Sequence, residues 1–114
     1  MAAKADPHRF DDLFAAFGPV TLRRLFSGEG IYADGLIIGL VIADRIFMKT
    51  DEASRKAFCA EGCEPFYFRK DGKRIASSYF AIPERLYDEP EELAVWAHKA
   101  QAVARAKPKK KKRE

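Results

Sequence analysis

Several kinds of chemistry are short of material in this chain. It has two cysteines, Cys59 and Cys63, and two histidines, His8 and His98, among 114 residues. A zinc site commonly takes four Cys or His ligands with two or more residues between paired cysteines, and no such set can be assembled from these four at a recognisable spacing. An i,i+4 cysteine pair on a helix is poorly placed for the narrow disulfide geometry, so both are expected as reduced, buried structural thiols. Nucleophilic catalysis lacks its parts as well, with no Gly-x-Ser-x-Gly elbow. Long apolar runs are also missing. The longest, Leu36 to Ala43, falls well short of the about 20 residues that span a bilayer. The start, Met1-Ala-Ala-Lys-Ala-Asp-Pro-His, has no apolar leader and reads as cytoplasmic, with no membrane partner.

What is present suits one domain. Apolar residues make up 47% of the chain, enough to bury about two thirds of the unfolded surface without staples. The net charge of +4 is unevenly placed. Six of the 21 basic residues and one of the 17 acidic ones lie in 107–114, leaving 15 against 16 in 1–106. Residues 1–106 are therefore read as a near-neutral folded domain and 107–114 as a disordered basic tail.

Turn and cap chemistry divides the domain into elements. Phe10, Leu13, Phe14 and Phe17 fall at helical spacing, with Asp6 as cap, Pro7 at the first position and Gly18-Pro19 as the stop. Val20 to Phe26 reads as a strand, broken by Ser27-Gly28-Glu29-Gly30. Asp34-Gly35 is a two-residue hairpin turn between Ile31–Ala33 and Leu36–Ala43. Asp44-Arg45 turns the chain into Ile46–Lys49. A short helix follows from cap Asp51 to Ala60, ended by Gly62. Asp71-Gly72 joins an aromatic strand, Phe66-Tyr67-Phe68, to Ile75–Ile82, and Asp88 caps a last helix with Leu93, Trp96, Ala97, Ala100, Val103 and Ala104 on one face. The order α-β4-α-β2-α predicts a two-layer α+β domain, with three helices on an antiparallel sheet of about six strands.

Leu36-Ile-Ile-Gly-Leu-Val-Ile-Ala is apolar on both strand faces. Either the helices divide between the two faces of the sheet, or Leu36 to Ala43 is simply a central strand, or a second copy or another partner covers one face. A homodimer through the sheet is therefore one expectation.

Gly28-x-Gly30-x-x-Ala33 has the letters of a dinucleotide fingerprint, but that motif must open a helix and here it leads into a hairpin. Asp11-Asp12 and Glu91-Glu92 lie near helix starts, where the dipole explains them. No catalytic residue, cofactor or metal is expected. The tail residues Lys107, Lys109, Lys110, Lys111, Lys112 and Arg113 could neutralise phosphates without reading sequence, since no aromatic is interleaved for stacking.

Taken together, Leu22-Arg-Arg-Leu-Phe-Ser-Gly-Glu-Gly-Ile-Tyr-Ala-Asp-Gly-Leu resembles the R-x-M-F-G-G-x-G-[IL]-Y-x-D-G signature of the TfoX (Sxy) N-terminal domain. Ile46-Phe-Met-Lys-Thr-Asp, Gly62-Cys-Glu-Pro-Phe-Tyr-Phe, Ser78-Tyr-Phe-Ala-Ile-Pro and Glu92-Leu-Ala-Val-Trp-Ala follow in the family's order. Leu25, Ser27 and Phe80 depart from it mildly. In place of the second, C-terminal domain of the family's regulators the chain shows a basic tail. The resemblance implies a fold similar to secretion-chaperone-like α+β folds. It also implies regulators that promote DNA-uptake genes during natural competence, alongside the cyclic-AMP receptor protein.

The expected function is thus a non-catalytic regulatory module that binds a protein partner. The alternative is a small nucleic-acid-binding protein using its tail. Arg23, Arg24, Glu29 and Tyr32 are the candidate contact residues, held by tight-turn glycines Gly28, Gly30 and Gly35.

Overall fold

The computed structural model describes residues 8–25 and 28–106. Six strands form one antiparallel sheet: β1 (Thr21–Leu25), β2 (Gly28–Ala33), β3 (Leu36–Ile42), β4 (Arg45–Lys49), β5 (Pro65–Lys70) and β6 (Lys73–Ala81), in spatial order β1-β2-β3-β4-β6-β5. The first four make the expected meander. The β5–β6 hairpin joins it through β4, where Phe47, Met48 and Lys49 pair with Ala81, Phe80 and Tyr79. Beyond that contact, Tyr67–Lys70 and Lys73–Ala76 pair only with each other and extend as a two-stranded ribbon.

Among the described residues two α-helices are present, not three. These are α1 (Glu52–Ala60) and α2 (Pro90–Ala106), with a short 3-10 helix at Glu84–Asp88 between the sheet and α2. Residues 8–17 coil through successive turns instead of a regular helix. Their hydrogen bonds alternate between three- and four-residue spacing, Phe14 N to Phe10 O and Gly18 N to Phe14 O against Asp11 N to His8 O and Phe17 N to Phe14 O. The expected cap, Asp6, lies outside the described residues. The phenylalanine stripe still docks, with Phe14 buried and Phe10, Leu13 and Phe17 packed around it. Burial of rings fixes this segment, and burial does not require an ideal backbone. The last helix starts at Pro90 instead of after Asp88, because Asp88 closes the 3-10 helix and proline suits a first helical turn.

Local signals account well for α1. The Asp51 carboxylate accepts from Ser54 N at 2.8 Å while Ser54 Oγ accepts from Asp51 N at 3.0 Å, a complete capping box. Its end is a Schellman motif: Gly62, at φ +77°, donates to Cys59 O, and Cys63 N donates to Phe58 O. Both thiols are free, but Cys59 is exposed instead of buried, because the buried position of this short helix is taken by Phe58.

Both helices and the N-terminal turns pack on the same face of the sheet. One continuous cluster holds Phe14, Ile31, Ile38, Met48, Phe58, Phe80, Leu86, Leu93 and Ala97. Tyr87 closes its edge by accepting a 2.7 Å hydrogen bond from Ile46 N. Among the described residues no helix packs on the opposite face, so the helices are not divided between the two faces of the sheet. Among the described residues no helix is long and apolar enough to cross a membrane.

Candidate functional site

The uncovered face of the sheet is built by register. Directly paired residues share a face, and one such row runs Arg23, Gly30, Leu40, Phe47, Ala81 across five strands. The adjacent row through Leu22, Ile31, Gly39, Met48 and Phe80 faces the helices.

A bulge in β3 sets this division. Ile31 pairs with Gly39 but Tyr32 pairs with Ile37, leaving Ile38 as the extra residue. Strict alternation would place Ile38 and Leu40 on one face. The bulge sends Ile38 into the helix-side core and leaves Ile37 and Leu40 together on the other side.

A second apolar cluster therefore lies on the open face. Leu40, Phe47 and Ala81 are its buried members, with Leu25, Ile37, Ile42, Phe66 and Tyr79 packed against them. Phe47 and Phe66 meet edge to face at 5.7 Å. The β5–β6 hairpin walls one side, producing an apolar groove of about 610 Å³ between Leu25, Ile37 and Leu40 and the Phe66–Arg69 strand. Two rings on that strand stay substantially exposed, Tyr67 at 38% and Phe68 at 41%.

Cations share this face with the apolar floor. Arg23 lies over the Tyr32 ring at 5.6 Å, Arg45 over Phe47 at 5.4 Å and Lys49 over Tyr79 at 5.0 Å. Arg69 lines the groove, and Arg74 sits 4.1 Å over Tyr67 on the ribbon. Burial, with a smaller effect from Tyr32, pushes the Tyr79 phenol up from its ordinary value. No Asp or Glu occupies the strand positions that register assigns to this face, among the described residues.

The four expected contact residues are split by the sheet. Arg23 and Tyr32 meet on the open face. Arg24 and Glu29, paired with each other across β1 and β2, belong to the opposite side. There Glu29 accepts two bonds from Arg9, at 2.6 and 3.3 Å, tying the N-terminal turns to the sheet. That hydrogen bonding raises the Arg9 guanidinium pKa still further.

Two of the three expected turn glycines also act differently. Only Gly35, at φ +79° beside Asp34 at φ 53°, sits in a turn. Gly28 and Gly30 are inside β2, where close approach is what excludes a side chain. A Cβ on Gly28 would lie 2.1 Å from Val41 O, and one on Gly30 would lie 2.8 Å from a Tyr32 ring carbon. The six basic tail residues proposed for nucleic-acid contact lie outside the described residues.

Sequence reasoning missed Arg45, Lys49 and Arg69, and the floor residues Ile37 and Leu40 as a pair. A usable signal was present in β4, where Arg45-x-Phe47-x-Lys49 places three residues on one face. A second cleft, of about 450 Å³, is lined by Arg45, Glu61, Cys63, Glu64 and Arg85. Arg85 there donates to Glu61 at 2.7 Å and also to Glu92, so the arrangement serves to join elements. Burial pushes the Cys63 thiol up, away from the thiolate form that a nucleophile needs. His8 is exposed and 3.1 Å from Asp11, while exposed His98 lies 4.8 Å from the Phe17 ring.

No curated protein matches the chain significantly. The family model described as the TfoX N-terminal domain matches residues 12–104, from the N-terminal turns through nearly all of α2. With that match spanning the whole sheet, α1 and most of α2, the chain belongs to the TfoX N-terminal domain family.

Proposed function

We propose that this domain is a non-catalytic regulatory module that binds a protein partner through the open face of its sheet. The observation that carries this reading is the apolar groove beside the second cluster, with Tyr67 and Phe68 exposed along it, on a face that no helix among the described residues covers. Contiguous apolar surface of this kind is costly to leave in water and marks interaction sites. Membership of a family whose resemblance implies competence regulation favours a regulatory role over an unrelated one.

A photo-crosslinking residue at position 37, on the floor, tests the reading against the same residue at position 99, on the exposed side of α2. In cells, protein adducts are expected from position 37 and not from position 99. Adducts from neither position, or equally from both, would remove the open face as the contact surface. The mass of each adduct, with light scattering of the purified chain, separates a second copy from a different protein.

A further inference from the structure

We propose that the occupant of the open face is an amphipathic helix of another protein, with an apolar stripe flanked by carboxylates. The proposal rests on the reading of that face as the contact surface and adds the chemistry of what it binds.

The floor selects for apolar side chains. Leu25, Ile37, Leu40 and Phe66 line the groove, and a helix laid in a groove uses side chains at i, i+3, i+4 and i+7 as its anchors. The groove crosses from β1 to β5, so strands at about 4.8 Å spacing give it room for a helix about 10 Å wide.

The rim selects for negative charge. Arg23 and Arg69 are exposed, and Arg45 and Lys49 lie along β4, with no carboxylate at the described strand positions of the face. A second copy docked face to face would set one cation-bearing face against another, since a two-fold contact uses the same patch on both copies. Like charges brought together in this way oppose association. A partner bearing carboxylates would instead meet complementary charge.

A single-stranded nucleic acid fits the charge but not the floor. Base stacking needs open ring faces. Phe47 is only 6% exposed, Tyr32, Phe47, Tyr67 and Tyr79 each already carry a cation over the ring, and Phe68, at 41% exposed, is a lone open face where stacking uses successive ones.

The test uses the full chain and fluorescence anisotropy of labelled synthetic helices of about 18 residues, long enough to hold helical structure. One has leucine at helical spacing with glutamate on its flanks, and the other replaces every glutamate with lysine. The glutamate peptide is expected to bind, more weakly as salt rises, and the lysine peptide is not. Arg23→Glu should weaken binding about tenfold, as reversal of a rim charge does, and Ile37→Glu should abolish it. Thermal melts verify that both variants fold, and Arg23→Glu, at an exposed position, keeps the test valid if Ile37→Glu does not. Equal binding of both peptides would overturn the proposal, as would no binding of either. So would binding of oligothymidine in place of the glutamate peptide, or a dimer dispersed by Ile37→Glu. Protein crosslinks from position 37 combined with indifference to the glutamate peptide would reject the acidic helix while leaving the protein-interaction reading intact.

Discussion

At the scale of single residues, the glycines separate two kinds of constraint. Gly35 and Gly72 occupy turns with φ of +79° and +76°. Gly28 and Gly39 are held by proximity, since a Cβ at either would sit 2.1 Å from Val41 O or 2.5 Å from Phe47 O. Backbone atoms cannot move aside as a side chain can. Gly28→Ala is therefore expected to destabilise the domain by about 2–3 kcal/mol, the upper range for overpacking. At Gly30 the nearest atoms are the ends of the Tyr32 and Ile37 side chains, which can swing away. Gly30→Ala is expected to cost about 1 kcal/mol or less. Urea unfolding of the two variants reads the difference, and equal losses would refute the distinction. The spacing Gly-x-Gly was visible in the sequence. Its meaning was not, because the atoms that crowd Gly28 belong to Val41 and Ile42, 13 and 14 positions later.

Among elements, β3 shows most clearly what local pattern can and cannot say. Leu36–Ala43 is apolar at nearly every position, so alternation offers no clue to which side chain faces which way. The bulge at Ile38 resolves it, and neighbouring isoleucines end in different environments. Ile38 is 0% exposed in the helix-side core, and Ile37 is partly exposed in the groove. Ile38→Ala is expected to cost about 2–5 kcal/mol, and Ile37→Ala about 1 kcal/mol or less. Denaturant midpoints would show this, and a similar loss at both positions would place Ile37 in the structural core. The elements with strong punctuation were read well: α1 with its Asp51 cap and Gly62 stop, and the Asp34-Gly35 and Asp71-Gly72 turns. The β3–β4 turn instead centres on Ala43-Asp44, at φ 52° and 62°. Alanine gives no sign of a left-handed turn, so only the pairing of Ile42 with Arg45 locates it.

For the whole molecule, the covered side of the sheet is joined by charge as well as by packing. Arg85, on the 3-10 helix, bonds to Glu61 after α1 and to Glu92 in α2. The hydrogen bond from Arg85 holds the Glu92 carboxyl below its ordinary value of 4.5. A carboxyl with a depressed folded pKa contributes stability that is fully present above its unfolded pKa and lost as pH falls through the folded value. Arg85→Gln is thus expected to lower the melting temperature at pH 7, with the difference from the natural chain shrinking below about pH 4.5. A difference that stays constant down to pH 2 would show that Arg85 acts by packing alone. Its partners are 24 residues before it and 7 after it, and only the folded chain brings the three together.

Several properties were settled by the sequence alone. The antiparallel α+β class, the order of the first four strands, both ends of α1, the Asp34-Gly35 and Asp71-Gly72 turns and family membership all follow from caps, turn residues and ordered motifs. Each of these depends on residues close together in the chain, so local chemistry suffices. The tertiary structure decided the rest. It gathered the helices on one side of the sheet, placed Arg23 and Tyr32 on one face and Arg24 and Glu29 on the other, and set cations on the same face as an apolar floor. Those outcomes depend on register and on a one-residue bulge between strands. Side-chain direction in a sheet reverses with each residue of shift, and an evenly apolar strand leaves that shift to be chosen by long-range packing.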